Sequence, residues 1–176
     1  MKFFILFVIS SLLLNSFATA QTLIQDSCKK AAASDPNLKY DFCVQSLEQD
    51  PQSKSAKNLV DLLIASTKTA AAKNTNVVGT AQQILKTGKL DKPTEESLRD
   101  CVQLFNDAID DYNKTLGDVT SRDYSSANVH LSAALDASST CDDGFKEIKK
   151  QNPISNESYV LYHKILIPLA FTNMVK

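Results

Sequence analysis

The four cysteines, at positions 28, 43, 101 and 141, carry the most definite chemistry in this 176-residue chain. Thiolates bind metals, attack electrophiles or pair as disulfides. A structural zinc site is disfavoured, because no Cys-x-x-Cys occurs and the two histidines, His130 and His163, are 33 residues apart. Either histidine has the right pKa range for a general base, but neither is accompanied by a local nucleophile or carboxylate pattern, so both read as structural or surface residues. Asp110-Asp111 and Asp142-Asp143 pair the residue type that glycosidases use. Adjacent helical positions point about 100° apart, however, so solvated charge is the better reading. Glycines 79, 88, 117 and 144 are too dispersed for a nucleophile elbow, a dinucleotide fingerprint or a P-loop. Nothing here calls for a cofactor or a metal, and an enzyme is disfavoured.

Composition narrows the field further. Nineteen basic residues stand against twenty acidic ones, a formal charge of −1. Nucleic acid is therefore an unsuited partner, since its affinity comes mainly from basic residues neutralising phosphates. Few glycines, no tryptophan and 43% hydrophobic residues point towards helices. Lys2, the apolar run 3–14 and the small-x-small end Ala18-Thr19-Ala20 have the form of a secretory signal, with cleavage expected between Ala20 and Gln21. The run is too short for a membrane span, so no membrane is expected for the mature form. Secretion makes disulfides the default for an even number of cysteines. It also agrees with two glycosylation acceptors, Asn113-Lys-Thr115 and Asn156-Glu-Ser158.

The elements that must position these residues are helical. Apolar residues recur at three- and four-residue spacing over 55–86, 94–116, 125–149 and 155–174. Gly79 and the Asn74–Asn76 stretch predict a bend or fraying in the first segment. Pro93 starts the second and Gly117 stops it. Ser155 or Asn156 is expected to cap the fourth, and Pro168 to kink it. Residues 22–50 form two short helical pieces broken at Asp35-Pro36. The fold class that follows is all-α: an antiparallel up-down four-helix bundle over 51–176 preceded by a helical hairpin over 21–50, with 1–20 as signal.

In an antiparallel hairpin, residues equidistant from the turn lie at one height. Cys101 and Cys141 are centred on residue 121, inside the turn expected over 117–123, and Cys28 and Cys43 are centred on Asp35-Pro36. Of three pairings, only 28–43 with 101–141 gives both bridges this symmetry. Residues 22–50 are too few to own a core, so that hairpin is expected to be an appendage held by its bridge.

Cys28 with Tyr40-Asp41-Phe42-Cys43, Asp100-Cys101 with Asn106-Asp107-Ala108, and the run 127–135 leading into Thr140-Cys141-Asp142-Asp143-Gly144-Phe145 resemble three blocks of the plant invertase and pectin methylesterase inhibitor family. The tract 40–47 and the run 123–145 look especially like invertase inhibitors that include a plane pollen allergen. The resemblance implies the same bundle and bridges. It also implies an inhibitor secreted to the apoplast that covers the substrate cleft of a carbohydrate-active enzyme, either cell-wall or vacuolar acid invertase or pectin methylesterase. It further implies that a homodimer can form by exchange of the N-terminal hairpin. Invertase inhibitors of this family share a Pro-Lys-Phe tripeptide beside the turn before the third bundle helix, where this chain has Arg122-Asp123-Tyr124-Ser125. The third block often carries tryptophan at the place of His130. Arg122, Asp123, Tyr124 and Ser125 are the expected target contacts, because a loop at the end of a stiff bundle is already ordered and Arg and Tyr are the usual interface anchors. Asp123 has a rival role as a helix cap, and Tyr124 as a lid on the core. The reading from another class is a secreted disulfide-stabilised bundle of structural or allergen-like type with no enzyme target.

Overall fold

The computed structural model describes residues 21–175, so the expected signal at 1–20 lies outside the described residues. Helix α1 covers 21–34 and α2 Tyr40–Glu48, followed by the single turn α3, Pro51–Lys54. Four long helices follow: α4 Leu59–Thr87, α5 Lys92–Ser121, α6 Tyr124–Glu147 and α7 Ser155–Thr172. No strand occurs among the described residues. α4 packs on α5, α5 on α6, α6 on α7 and α7 back on α4, which closes the bundle.

The starts of three long helices are written in the sequence. Asn58, Asp91 and Asp123 each accept the backbone N–H three residues on, from Asp61, Thr94 and Ser126. Each cap satisfies one of the donors that a helix leaves unpaired at its first turn. Pro93 sits in the first turn of α5, as expected. The apolar stripes then meet in one core. Leu62, Leu63, Leu98, Phe105, Leu131, Phe145, Leu161 and Ile165 are all buried within it.

Four sequence expectations are corrected. α4 runs unbroken through Asn74 and Gly79, because the buried Asn74 amide donates to the Phe105 carbonyl of α5 at 2.7 Å and so ties the polar stretch to its neighbour. α5 does not stop at Gly117. It continues to Ser121 and ends where Arg122 takes the left-handed conformation, φ 62°. Neither Ser155 nor Asn156 caps α7. The buried Asn152 accepts the Ile154 N–H at 2.9 Å and donates to Asp142 of α6 at 2.6 Å, so the loop amide replaces a cap and fastens α7 to α6.

The fourth correction concerns the hairpin. Ile24, Cys28, Ala31, Leu38, Cys43 and Leu47 are buried in the same core cluster as the bundle residues. Phe42 places its ring 5.5 Å from that of His163 on α7, whose Nδ1 bonds the Tyr159 carbonyl. The hairpin is docked on its own bundle rather than appended to it. Burial of several apolar side chains, each contributing about 1.5–3 kcal/mol, explains why a piece too short for its own core lies down on another.

Candidate docking surface

Both expected bridges are present: Cys28–Cys43 and Cys101–Cys141, with Cα separations of 5.7 and 4.9 Å. The second fixes α5 against α6 at a height well below their turn, and continuous packing between the two helices carries that order up to residues 122–125. The turn itself is closed by the backbone. The Arg122 N–H donates to the Val119 carbonyl and the Asp123 N–H to the Asp118 carbonyl at 2.8 Å, satisfying two carbonyls at the end of α5. Glycine is the usual residue at such a left-handed position, so Arg122 there carries a conformational cost of about 1 kcal/mol.

The four expected contact residues lie together but differ in setting. Arg122, Asp123 and Ser125 are exposed, whereas Tyr124 is half-buried and packs on the core. Asp123 is occupied as a cap: Oδ1 accepts the Ser126 N–H at 3.0 Å and Oδ2 accepts the Ser126 hydroxyl at 2.7 Å. Those bonds hold its carboxyl below the usual carboxylate range, with the His130 side chain adding a smaller pull in the same direction. Arg122 forms no ion pair among the described residues, which leaves its guanidinium available.

Three features of this end were not legible as site residues. Val129 is 63% exposed and lies one helical turn beyond Ser125 on the same face. His130 bridges the two helices just below the turn, its Nδ1 lying 2.7 Å from Asp118 Oδ2. Beside them runs a groove of about 410 Å³ lined by Ser34 and Asp35 of the hairpin tip, Asn128 and Ser132 of α6, and Leu169 and Asn173 at the end of α7. Asn128 anchors its floor by donating to Thr172 Oγ1 at 2.7 Å. An exposed valine shows in the sequence only once the helix face is fixed, and the hairpin tip joins the groove only through tertiary packing.

The second acidic pair and His163 have structural partners. Asp142 accepts from Asn152, and Asp143 pairs with Lys146 at 2.7 Å. His163 is 8% exposed among Phe42, Tyr159 and Tyr162. Among the described residues no group of three or more His, Cys, Asp or Glu is placed to hold a metal ion, and no helix is long and apolar enough to cross a membrane. Asn113, in the C-terminal half of α5, and Asn156, in the first turn of α7, are both exposed.

Fold and surface together define an all-helical, twice-bridged bundle that presents one ordered, polar end with an exposed arginine and valine. Residues 22–170 match the family described as Plant invertase/pectin methylesterase inhibitor, and the chain belongs to that family. It is 58% identical to Pectinesterase inhibitor 12 of Arabidopsis thaliana over 99% of this chain and 100% of that protein. It is 40% identical to a Platanus orientalis protein named "Putative invertase inhibitor", over 90% of this chain and 93% of the other. A crystal structure of a mutant form of a pectin methylesterase inhibitor from Arabidopsis superposes with a TM-score of 0.71 at 25% identity, covering 85% of this chain and 94% of that one.

Proposed function

We propose that this protein is a secreted, non-catalytic inhibitor of pectin methylesterase that docks by the α5–α6 turn, residues 122–125, and covers the substrate cleft of its target. The observation that carries the choice of target is the 58% identity spanning the whole length of a pectinesterase inhibitor. It outweighs the resemblance of the runs 40–47 and 123–145 to invertase inhibitors, and the absence of Pro-Lys-Phe beside the turn points the same way. The physics of docking follows from the turn. A loop already fixed by caps and by a disulfide-linked hairpin loses little entropy on binding, so more of its contact energy appears as affinity. Arg122 supplies a planar donor fork, Val129 apolar area, and Tyr124 a partly buried aromatic ring.

A second reading, acid invertase as target, is favoured by the 40% identity to the Platanus orientalis protein. One experiment separates the two. Purified protein is titrated against a pectin methylesterase and an acid invertase at mildly acidic pH, with residual activity as readout. Stoichiometric loss of esterase activity with invertase untouched is the expected result. Loss of invertase activity alone would move the assignment to the second reading, and no effect on either would leave a structural bundle.

A further inference from the structure

Two acceptor triplets lie away from the docking turn: Asn113-Lys114-Thr115 on α5 and Asn156-Glu157-Ser158 at the start of α7. The fold treats the two ends of each triplet in opposite ways. Asn113 and Asn156 are exposed, whereas Thr115 and Ser158 are both 0% exposed. Helical geometry is the reason. Residues two apart point about 200° from each other, so when one faces water the other faces the core.

The buried hydroxyls do little for the folded bundle. Thr115 Oγ1 makes a bond local to α5, donating to the Asp111 carbonyl one turn back at 2.8 Å. Ser158 Oγ has no hydrogen-bond partner. A buried hydroxyl left unpaired destabilises a fold, and alanine would fill the same place without that cost. A role that precedes folding accounts for a serine there.

We propose that Asn113 and Asn156 are N-glycosylated, and that transfer happens only while each triplet is still unfolded. In an extended chain residues i and i+2 line one face, so carboxamide and hydroxyl are presented together to a transferase. There the Asn Nδ2 attacks the anomeric carbon of an oligosaccharide carried on a lipid pyrophosphate. A C–N bond forms as the bond from that carbon to the pyrophosphate oxygen breaks, and its electron pair leaves with the lipid pyrophosphate. The amide gives one proton to a base of the transferase and keeps the other. Folding then turns the hydroxyl inward and leaves the sugar outside, so a site missed before folding stays bare. α6 has 24 residues and spans about 36 Å, which puts Asn156 at the end of the bundle opposite the turn 122–125. The proposal rests on the secretory reading of residues 1–20, and the test keeps the two apart.

The chain with its own residues 1–20 is expressed in plant cells. Protein from the medium is then treated with a peptide-N-glycosidase in heavy-oxygen water. Mass spectrometry reads each released site as an asparagine converted to labelled aspartate, and label at both positions is expected. Asn113→Gln and Thr115→Val should each abolish the first site, and Asn156→Gln and Ser158→Ala the second. Thr115→Ser and Ser158→Thr, which keep the hydroxyl, should retain them. For the order of events, sugar-free protein from bacteria with both bridges formed is offered to microsomal transferase and its lipid-linked donor. It should accept no sugar, whereas the same chain reduced and alkylated should accept it at both sites. A bare asparagine in protein from the medium overturns the assignment at that position, and transfer to the bridged, folded chain overturns the order. If nothing reaches the medium, the leader of an established secreted protein replaces residues 1–20. Sugar found then moves the fault to the secretory reading, and its absence overturns this proposal.

Discussion

Two hairpins in this chain use the same device to opposite ends. Each is a pair of antiparallel helices crossed by one disulfide, α1–α2 by Cys28–Cys43 and α5–α6 by Cys101–Cys141. The short one gives up its independence. Its inner face, Ile24, Leu38 and Leu47, is buried in the common core, and its tip forms one wall of the groove beside α6 and α7. The long one is half of the bundle, and its bridge lies some twenty residues from the turn on either side. What the turn gains is order delivered from a distance: the bridge clamps the shafts, the caps close the tip, and the exposed residues at 122–125 are left free of structural duty except for Asp123 and Tyr124. A cross-link near a short loop fixes where a segment lies, whereas one deep in a long hairpin fixes how its far end is presented.

Removing each bridge in turn breaks the comparison most severely. In the chain-entropy account, releasing loops of 40 and 15 residues costs about 4 and about 3 kcal/mol respectively. Cys101→Ser/Cys141→Ser should therefore give the larger fall in denaturation midpoint, and it should weaken inhibition because the shafts beneath the turn lose their clamp. Cys28→Ser/Cys43→Ser should lower the midpoint less and leave inhibition near the parent level, with fast amide exchange confined to 21–50. Global loss of helicity in the second variant would show that the hairpin directs folding of the bundle, and equal losses of inhibition in both would remove the distinction drawn between them.

The turn itself offers a sharper test. Tyr124 is the residue whose two roles compete, since it packs on the core with one side and faces solvent with the other. Tyr124→Ala should weaken inhibition by about 2 kcal/mol, roughly thirtyfold, with a smaller drop in melting temperature than loss of a fully buried ring such as Phe105 would give, because Tyr124 is only partly buried. A large drop in melting temperature with inhibition intact would make Tyr124 a core lid and move the docking site to Arg122 and Val129.

Sequence legibility divides along the same line. The shafts were readable, because helical periodicity and cysteine symmetry are local or nearly local signals. So was the cap of α6, where Asp123 precedes Tyr124, whereas the Asp91 cap of α5 shows only in the structure. The exact end of α5 was not. Gly117 looked like a stop, but side-chain packing against α6 carries the helix on, and Arg122 accepts the left-handed position instead. The hairpin's docking was hidden for a different reason. Ile24, Leu38 and Leu47 are spaced as any amphipathic piece would be, and nothing in their spacing names the surface they cover. The acceptance of Asn74 inside α4 is likewise a tertiary fact, paid for by the Phe105 carbonyl. Of the candidate site, the residue types at 122–125 were visible, while Val129 and the groove beside Asn128 required the assembled bundle.

The smallest expected effect tests whether the tip owes its order to the cap as well as to the shafts. Asp123 accepts both the Ser126 N–H and the Ser126 hydroxyl, and its carboxyl is held below the ordinary range first by the backbone bond and then by the hydroxyl. The sign of its pH dependence follows. A carboxylate whose pKa is lowered in the folded protein stabilises the fold fully above the unfolded value, near 4, and that contribution is lost as pH falls below it. Melting temperature measured from neutral pH downwards should therefore decline for the parent protein below about pH 4, and part of that decline should vanish in Asp123→Ala. The variant should also start slightly lower at neutral pH, because the first turn of α6 loses the acceptor that paired its free donor. Asp123→Ser, which keeps a capping oxygen but has no titrating group, should recover most of the neutral-pH stability and still lack the acid limb. If Asp123→Ala and Asp123→Ser instead lose inhibition equally with unchanged melting curves, the carboxylate serves the target rather than the helix. The tip would then be ordered by the shafts alone.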